Sequence, residues 1–158
     1  MRLTENKVKN ISDGLILSHP KYGWATVNLN SFKGNVSYLN DIAFEWLKAL
    51  KAAIENKTVA TLYGDEEGSD FYIVLDNYYG FVIVNRDKLE TIEIDYGLID
   101  FAQELCNAIR TDLKGWARFC DYDYYDLSED EQREKDLELC QLIADTEEAI
   151  RNARRNNY

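Results

Sequence analysis

A chain of 158 residues, 46% hydrophobic and 30% charged, is long enough to bury one sizeable core and is read as a single α+β domain over 1–158. Its formal net charge of -11 and isoelectric point near 4.5 argue against nonspecific attachment to nucleic acid or to an anionic membrane, and suit a basic protein partner instead. The opening residues, Met1 to Lys7, lack the apolar run of a signal peptide, and no stretch approaches the roughly 20 apolar residues that span a bilayer, so a cytoplasmic location without a membrane partner is expected.

Residues 1–12 are polar and weakly patterned, and read either as a leading strand or as a mobile end. Leu15 to Ser18 and Trp24 to Leu29 flank His19-Pro20-Lys21-Tyr22-Gly23, where Pro and Gly supply turn geometry, so these two segments are expected to form a hairpin. Ser31 to Gly34 reads as a loop and Asn35 to Tyr38 as a further short strand. Asn40 or Asp41 then offers a side-chain oxygen to the free amides of a helix over about 41–56, in which Ala43, Leu47, Leu50 and Ile54 share one face. From Thr58 to Ile94 four short runs rich in Val, Ile, Tyr and Phe alternate with Gly, Asn and Asp turns, the mark of consecutive antiparallel strands.

Phe101, Leu105, Ile109, Leu113 and Trp116 carry a second helix from about 98 to 120, with a break or kink expected at Gly115. Ser128 and Glu131 form an S-x-x-E box that opens a third helix, over about 128–156. Its thin apolar stripe suits a helix lying along the domain or pairing with another chain. These elements predict one antiparallel sheet of about five to seven strands, with the 41–56 helix inserted after the N-terminal hairpin and the two C-terminal helices packed on it.

Little of the sequence points to catalysis. Cys106, Cys120 and Cys140 lack C-x-x-C spacing and accompanying histidines, which argues for free thiols rather than disulfides or zinc. His19 is the only histidine and stands in a turn, and no dinucleotide, P-loop or zinc-protease motif is present, so neither an enzyme nor a cofactor is expected. Asp121-x-Asp123 resembles the opening of a calcium-binding EF-hand loop, but Asp126 stands where the turn needs Gly and Gln132 where the bidentate Glu belongs; only a loose divalent-ion site near Asp121 is left open.

The stronger signal is the interleaving of tyrosine with carboxylate in Asp121, Tyr122, Asp123, Tyr124, Tyr125 and Asp126, an acidic loop before the last helix, with Glu129 following. A second acidic loop holds Asp65, Glu66, Glu67 and Asp70, and the turn after it holds Tyr78 and Tyr79. Tyrosine gives large contact area at modest entropic cost, and clustered carboxylates attract Arg and Lys, so these residues are candidates for binding a basic partner. The competing reading is that the tyrosines cover the core while the acids solvate loops.

Ser37-Tyr38-Leu39-Asn40-Asp41, the helix through Leu47 and Leu50, Asp65-Glu66-Glu67-Gly68 between strands and the late helix with Trp116 follow one another in an order that resembles small uncharacterised bacterial α+β proteins. Some of those are immunity proteins of contact-dependent or polymorphic toxin systems. The resemblance spans roughly Gly14 to Phe119 and carries over no functional residue. It implies an inhibitor that occludes the active site of a basic toxin such as a nuclease. Alternatives are an assembly subunit that oligomerises through the last helix, its oligomeric state being open, and a DNA mimic that blocks a nucleic-acid-binding protein without itself binding nucleic acid.

Overall fold

The computed structural model describes residues 15–121 and 127–156. Among these residues six strands form two separate antiparallel sheets. β1 (Trp24–Asn28) pairs with β2 (Lys33–Ser37), and β3 (Ala60–Asp65), β4 (Asp70–Leu75), β5 (Gly80–Asn85) and β6 (Leu89–Ile94) form a meander in chain order. The helices are α1 (Ile42–Asn56), α2 (Leu98–Thr111), α3 (Leu113–Ala117) and α4 (Glu129–Arg155), with a 3-10 turn over Phe119–Asp121. The α+β class and the antiparallel meander are as expected; the single sheet of five to seven strands is not.

The reason for the division lies at the edge of β2. Where a continuous sheet would carry ladder bonds to β3, side chains intervene: the Asn35 amide donates to Glu66 Oε2 at 3.1 Å, and Arg86 Nη2 donates to the Lys33 carbonyl at 2.9 Å. Two polar groups of the β2 edge are thus satisfied by side chains of the second sheet without a shared ladder. The expected hairpin partner of β1 is also displaced. Leu15 to Ser18 meets β1 through the single bridge Leu17 to Val27 and flanking backbone bonds, whereas β2 pairs along all of β1, with Lys33 and Gly34, expected in a loop, already in the strand.

The third departure is in the helices. The segment expected as one helix from 98 to 120 breaks at Asp112, not at Gly115, because the Asp112 carboxylate accepts from the Gly115 amide at 3.2 Å and caps a new helix. Gly115 matters here for space: a Cβ on it would lie 2.4 Å from Asp112 Oδ2. The long α4 begins at Ser128, whose hydroxyl accepts from the Glu131 amide at 3.1 Å.

In the meander the side chains alternate between two faces. Leu62, Phe71, Ile73, Leu75, Val82 and Val84 point into the core, where α1 lies against β3 and Trp46 Nε1 donates to the Tyr63 carbonyl at 2.8 Å. α2 and α4 then close on α1. The α4 stripe, Leu139, Ile143, Ala149, Ile150 and Ala153, is buried inside the chain, so this helix lies along the domain.

Candidate functional site

Among the described residues, no helix packs on the opposite face of the meander. Reading across the register, Tyr63, Tyr72, Ile83 and Thr91 form one row, and Thr61, Val74, Phe81 and Glu93 the next. Strand propensity favours β-branched and aromatic residues on such a surface, and here they remain partly or fully open to solvent. Tyr63 and Tyr72 pack across the strands with ring centroids 5.1 Å apart and ring planes tilted by 46°. Beyond them lie Asp65 and Asp70, directly opposite each other, so two like charges are held together at the end of the face. Tyr63 Oη donates to Asp70 Oδ2 at 3.4 Å, and Asp70 Oδ1 is buried without a partner. None of the strand residues that point to this face is Lys, Arg or His.

The face continues, past Phe81 and Glu93, into a groove of about 660 Å³ between the β4–β5 turn and the start of α2. Its walls are fixed by backbone. Asp76 Oδ1 accepts from the amides of Tyr78 and Tyr79 at 2.8 and 2.7 Å, and the Leu98 amide donates to the Asp76 carbonyl at 2.7 Å. Gly97 permits the approach, since a Cβ there would lie 2.4 Å from the Asn77 carbonyl oxygen. Tyr96 is held edge-on to Phe101 and donates its hydroxyl to Glu104 at 2.8 Å; burial and that carboxylate push its phenol up to about 12. Tyr78 and Tyr79 are 76% and 75% exposed, an outlay of aromatic surface that the fold itself does not use.

The residues singled out from sequence divide sharply. Asp65 and Asp70 join the open face. Glu67 is exposed in the turn between them with φ 53. Glu66 turns away: its side chain is 6% exposed and accepts from Arg86 Nε and Nη2, the Asn35 amide and the Ser69 hydroxyl. Burial alone would raise its carboxyl, but these donors outweigh it and hold the group below its ordinary value. Glu66 therefore ties the two sheets together. Tyr122, Asp123, Tyr124, Tyr125 and Asp126 lie outside the described residues, as do residues 1–12. Glu129 is exposed in the first turn of α4, and Asp121 is bonded to Lys135.

Asp121 belongs to a second polar cluster. Cys120 Sγ donates to Asp41 Oδ2 at 3.3 Å, Lys135 Nζ lies 3.9 Å from the same sulfur, and Asp41 Oδ1 is buried without a partner. Asp41 stands at the N-cap of α1 but makes no side-chain cap bond there, because its carboxylate faces the thiol instead. Burial raises the Asp41 carboxyl, and burial with Asp41 beside it pushes the Cys120 thiol up to about 12. Such a thiol stays protonated at neutral pH and is a poor nucleophile. His19 Nδ1 lies 3.4 Å from Asp112, the same carboxylate that caps α3. Among the described residues no group of three or more His, Cys, Asp or Glu side chains is placed to hold a metal ion, and no helix is long and apolar enough to cross a membrane.

Sequence reasoning missed Tyr63, Tyr72, Val74, Phe81, Ile83 and Tyr96 as surface candidates. The signal was present as alternation within Phe71-Tyr72-Ile73-Val74-Leu75, where one parity is uniformly core-like and the other mixed with tyrosine. The chain matches no protein-family model, no curated protein and no solved structure.

Proposed function

We propose that this chain is an acidic protein-binding module that docks a basic protein on the open face of its four-stranded sheet. One observation carries the reading: aromatic and aliphatic side chains fill the middle of that face, Asp65, Asp70 and Glu93 stand on it, and no strand residue there supplies a compensating cation. Aromatic contact area desolvated at the centre sets complex lifetime, while carboxylates with a net charge of -11 behind them accelerate encounter with a cationic partner. The resemblance to immunity proteins makes a basic toxin such as a nuclease the partner to try first, with inhibition by occlusion of its active site. An assembly role for α4 has less support, because the stripe it would offer to another chain is buried against α1 and α2.

The test is to recover the partner from native lysate at low salt, purify it and titrate it against the parent chain and two variants. Tyr72→Ser with Ile83→Ser should weaken binding at least tenfold at all salt concentrations. Asp65→Asn with Asp70→Asn should weaken it at low salt and flatten its salt dependence. A captured partner whose affinity neither pair alters would overturn the reading, and capture of nothing but the chain itself would favour self-assembly.

A further inference from the structure

We infer that the groove at the Tyr78–Tyr79 end of the open face is the seat of one arginine side chain of the docked protein. The inference rests on the docking reading and specifies its chemistry. Three tyrosines, Tyr78, Tyr79 and Tyr96, and three carboxylates, Glu93, Asp95 and Asp100, line a space of about 660 Å³. No Lys, Arg or His is among the residues lining it. Arg154 approaches Asp100 to 3.8 Å from the α4 side, so a guanidinium of this chain already meets the rim of the groove while Glu93 and Asp95 face it without a cation.

The occupant follows from the combination of tyrosines with carboxylates in the lining. A divalent ion would need carboxylates converging on one point, and no such group occurs among the described residues. A lysine ammonium is strongly hydrated and reaches a carboxylate as a point charge, whereas a guanidinium is planar, weakly hydrated, stacks on tyrosine and bonds a carboxylate through two N–H groups at once. Part of the wall is preorganised. The Tyr96 side chain is pinned by Glu104 and Phe101, and the backbone of the Tyr78–Tyr79 turn by Asp76 and the start of α2. The ordering cost on entry of the side chain is therefore confined to the exposed Tyr78 and Tyr79 rings and the carboxylates.

Three tripeptides, acetyl-Gly-Arg-Gly-amide and its lysine and citrulline counterparts, would be titrated into the ¹⁵N-labelled full chain and followed by NMR. The arginine peptide should give saturable shifts at Tyr78, Tyr96 and Gly97, at least tenfold tighter than citrulline and several-fold tighter than lysine. Asp95→Asn with Asp100→Asn should weaken it at least fivefold. Equal response to citrulline, or arginine-induced shifts spread over every exposed carboxylate, would overturn the seat. The purified partner separates the two claims. If Tyr72→Ser with Ile83→Ser abolishes partner binding while Asp95→Asn with Asp100→Asn changes it less than twofold, the docking face stands and the arginine seat falls. If the tripeptide occupies the groove but Tyr72→Ser with Ile83→Ser leaves partner affinity unchanged, the face falls and the groove remains a guanidinium site.

Discussion

The two faces of the meander are built from the same strands, residue by residue in alternation, yet they answer to different requirements. Phe71, Ile73 and Leu75 are fully buried, while Tyr72 and Val74, their immediate neighbours, look outward. On the inner face, volume decides what is allowed. Gly64 lies under the Phe71 ring so closely that a Cβ would come within 2.2 Å of it, and Phe32 meets the same ring at 5.0 Å and 60°. On the outer face no helix among the described residues limits side-chain volume, and two carboxylates stand opposed at its end. Core volume, which fixes the inner face, does not account for a pair of like charges on the outer one.

The sharpest way to break the comparison is to truncate on the inner face. Phe71→Ala should lower unfolding free energy by about 3–5 kcal/mol, because the vacated volume is lined by Phe32 and Gly64 rather than by side chains free to collapse. Urea denaturation followed by tryptophan fluorescence measures it, with Trp46 and Trp116 both buried. A loss below about 1 kcal/mol would mean that the inner face is not the core.

Glu66 sits at the boundary between the faces and should give the next largest effect. Glu66→Gln removes the charge from a carboxylate that accepts from Arg86, Ser69 and the Asn35 amide, and about 2 kcal/mol is expected after allowing for the half-open Arg86 end. The folded carboxyl titrates below its ordinary value of 4.5, so its contribution is complete above about that pH and is lost as pH falls through the lower folded value. The acid limb of the stability curve should accordingly be shallower in Glu66→Gln than in the parent. Parallel acid limbs would show that the Arg86 pair carries no net stabilisation.

Tyr72→Ser probes the outer face directly. It removes the ring packed against Tyr63, and a stability loss of about 1 kcal/mol is expected, well below that of Phe71→Ala one residue away. Its affinity for the basic partner should fall at least tenfold. A large stability loss with no change in affinity would reverse the roles assigned to the two faces.

How far these faces could be read from sequence depends on the range of the interactions that define them. The four strands from Ala60 to Ile94 and helix α1 follow from period and turn residues, and the start of α4 from the Ser128 cap, all within a few positions of one another. The side-chain cap expected from Asn40 or Asp41 on α1 is not made, because Asp41 is drawn to Cys120, 79 positions away. The break at Asp112 eluded the same rules, because glycine marks helix weakness while the cap that made the break is a carboxylate three residues earlier. The separation of the sheets rests on Glu66 and Arg86, 20 positions apart, and on the Asn35 amide, 31 positions from Glu66. Asp121 is likewise engaged by Lys135, 14 positions away. Composition identified tyrosine with carboxylate as the chemistry to look for. Which of those side chains share a surface is decided by register, and register is what placed Tyr72 beside Tyr63 and Phe81 beside Glu93.

The smallest effect on stability is expected at Leu89, and it bears on the comparison for that reason. Leu89 is 71% exposed, opposite Asn85 at the end of the edge strand and on the outer parity. Leu89→Lys removes little buried area and places on an edge strand a residue that discourages strand pairing, so unfolding free energy should change by less than about 0.5 kcal/mol. Denaturation at two protein concentrations tenfold apart checks it. A larger, concentration-dependent loss would mean that a second copy covers this face in solution. Against a cationic partner the same variant puts a positive charge at the rim of the docking surface, which should slow association in low salt while leaving dissociation nearly unchanged. Stopped-flow mixing at two salt concentrations reads that rate, and unchanged association would place the partner's footprint away from β6.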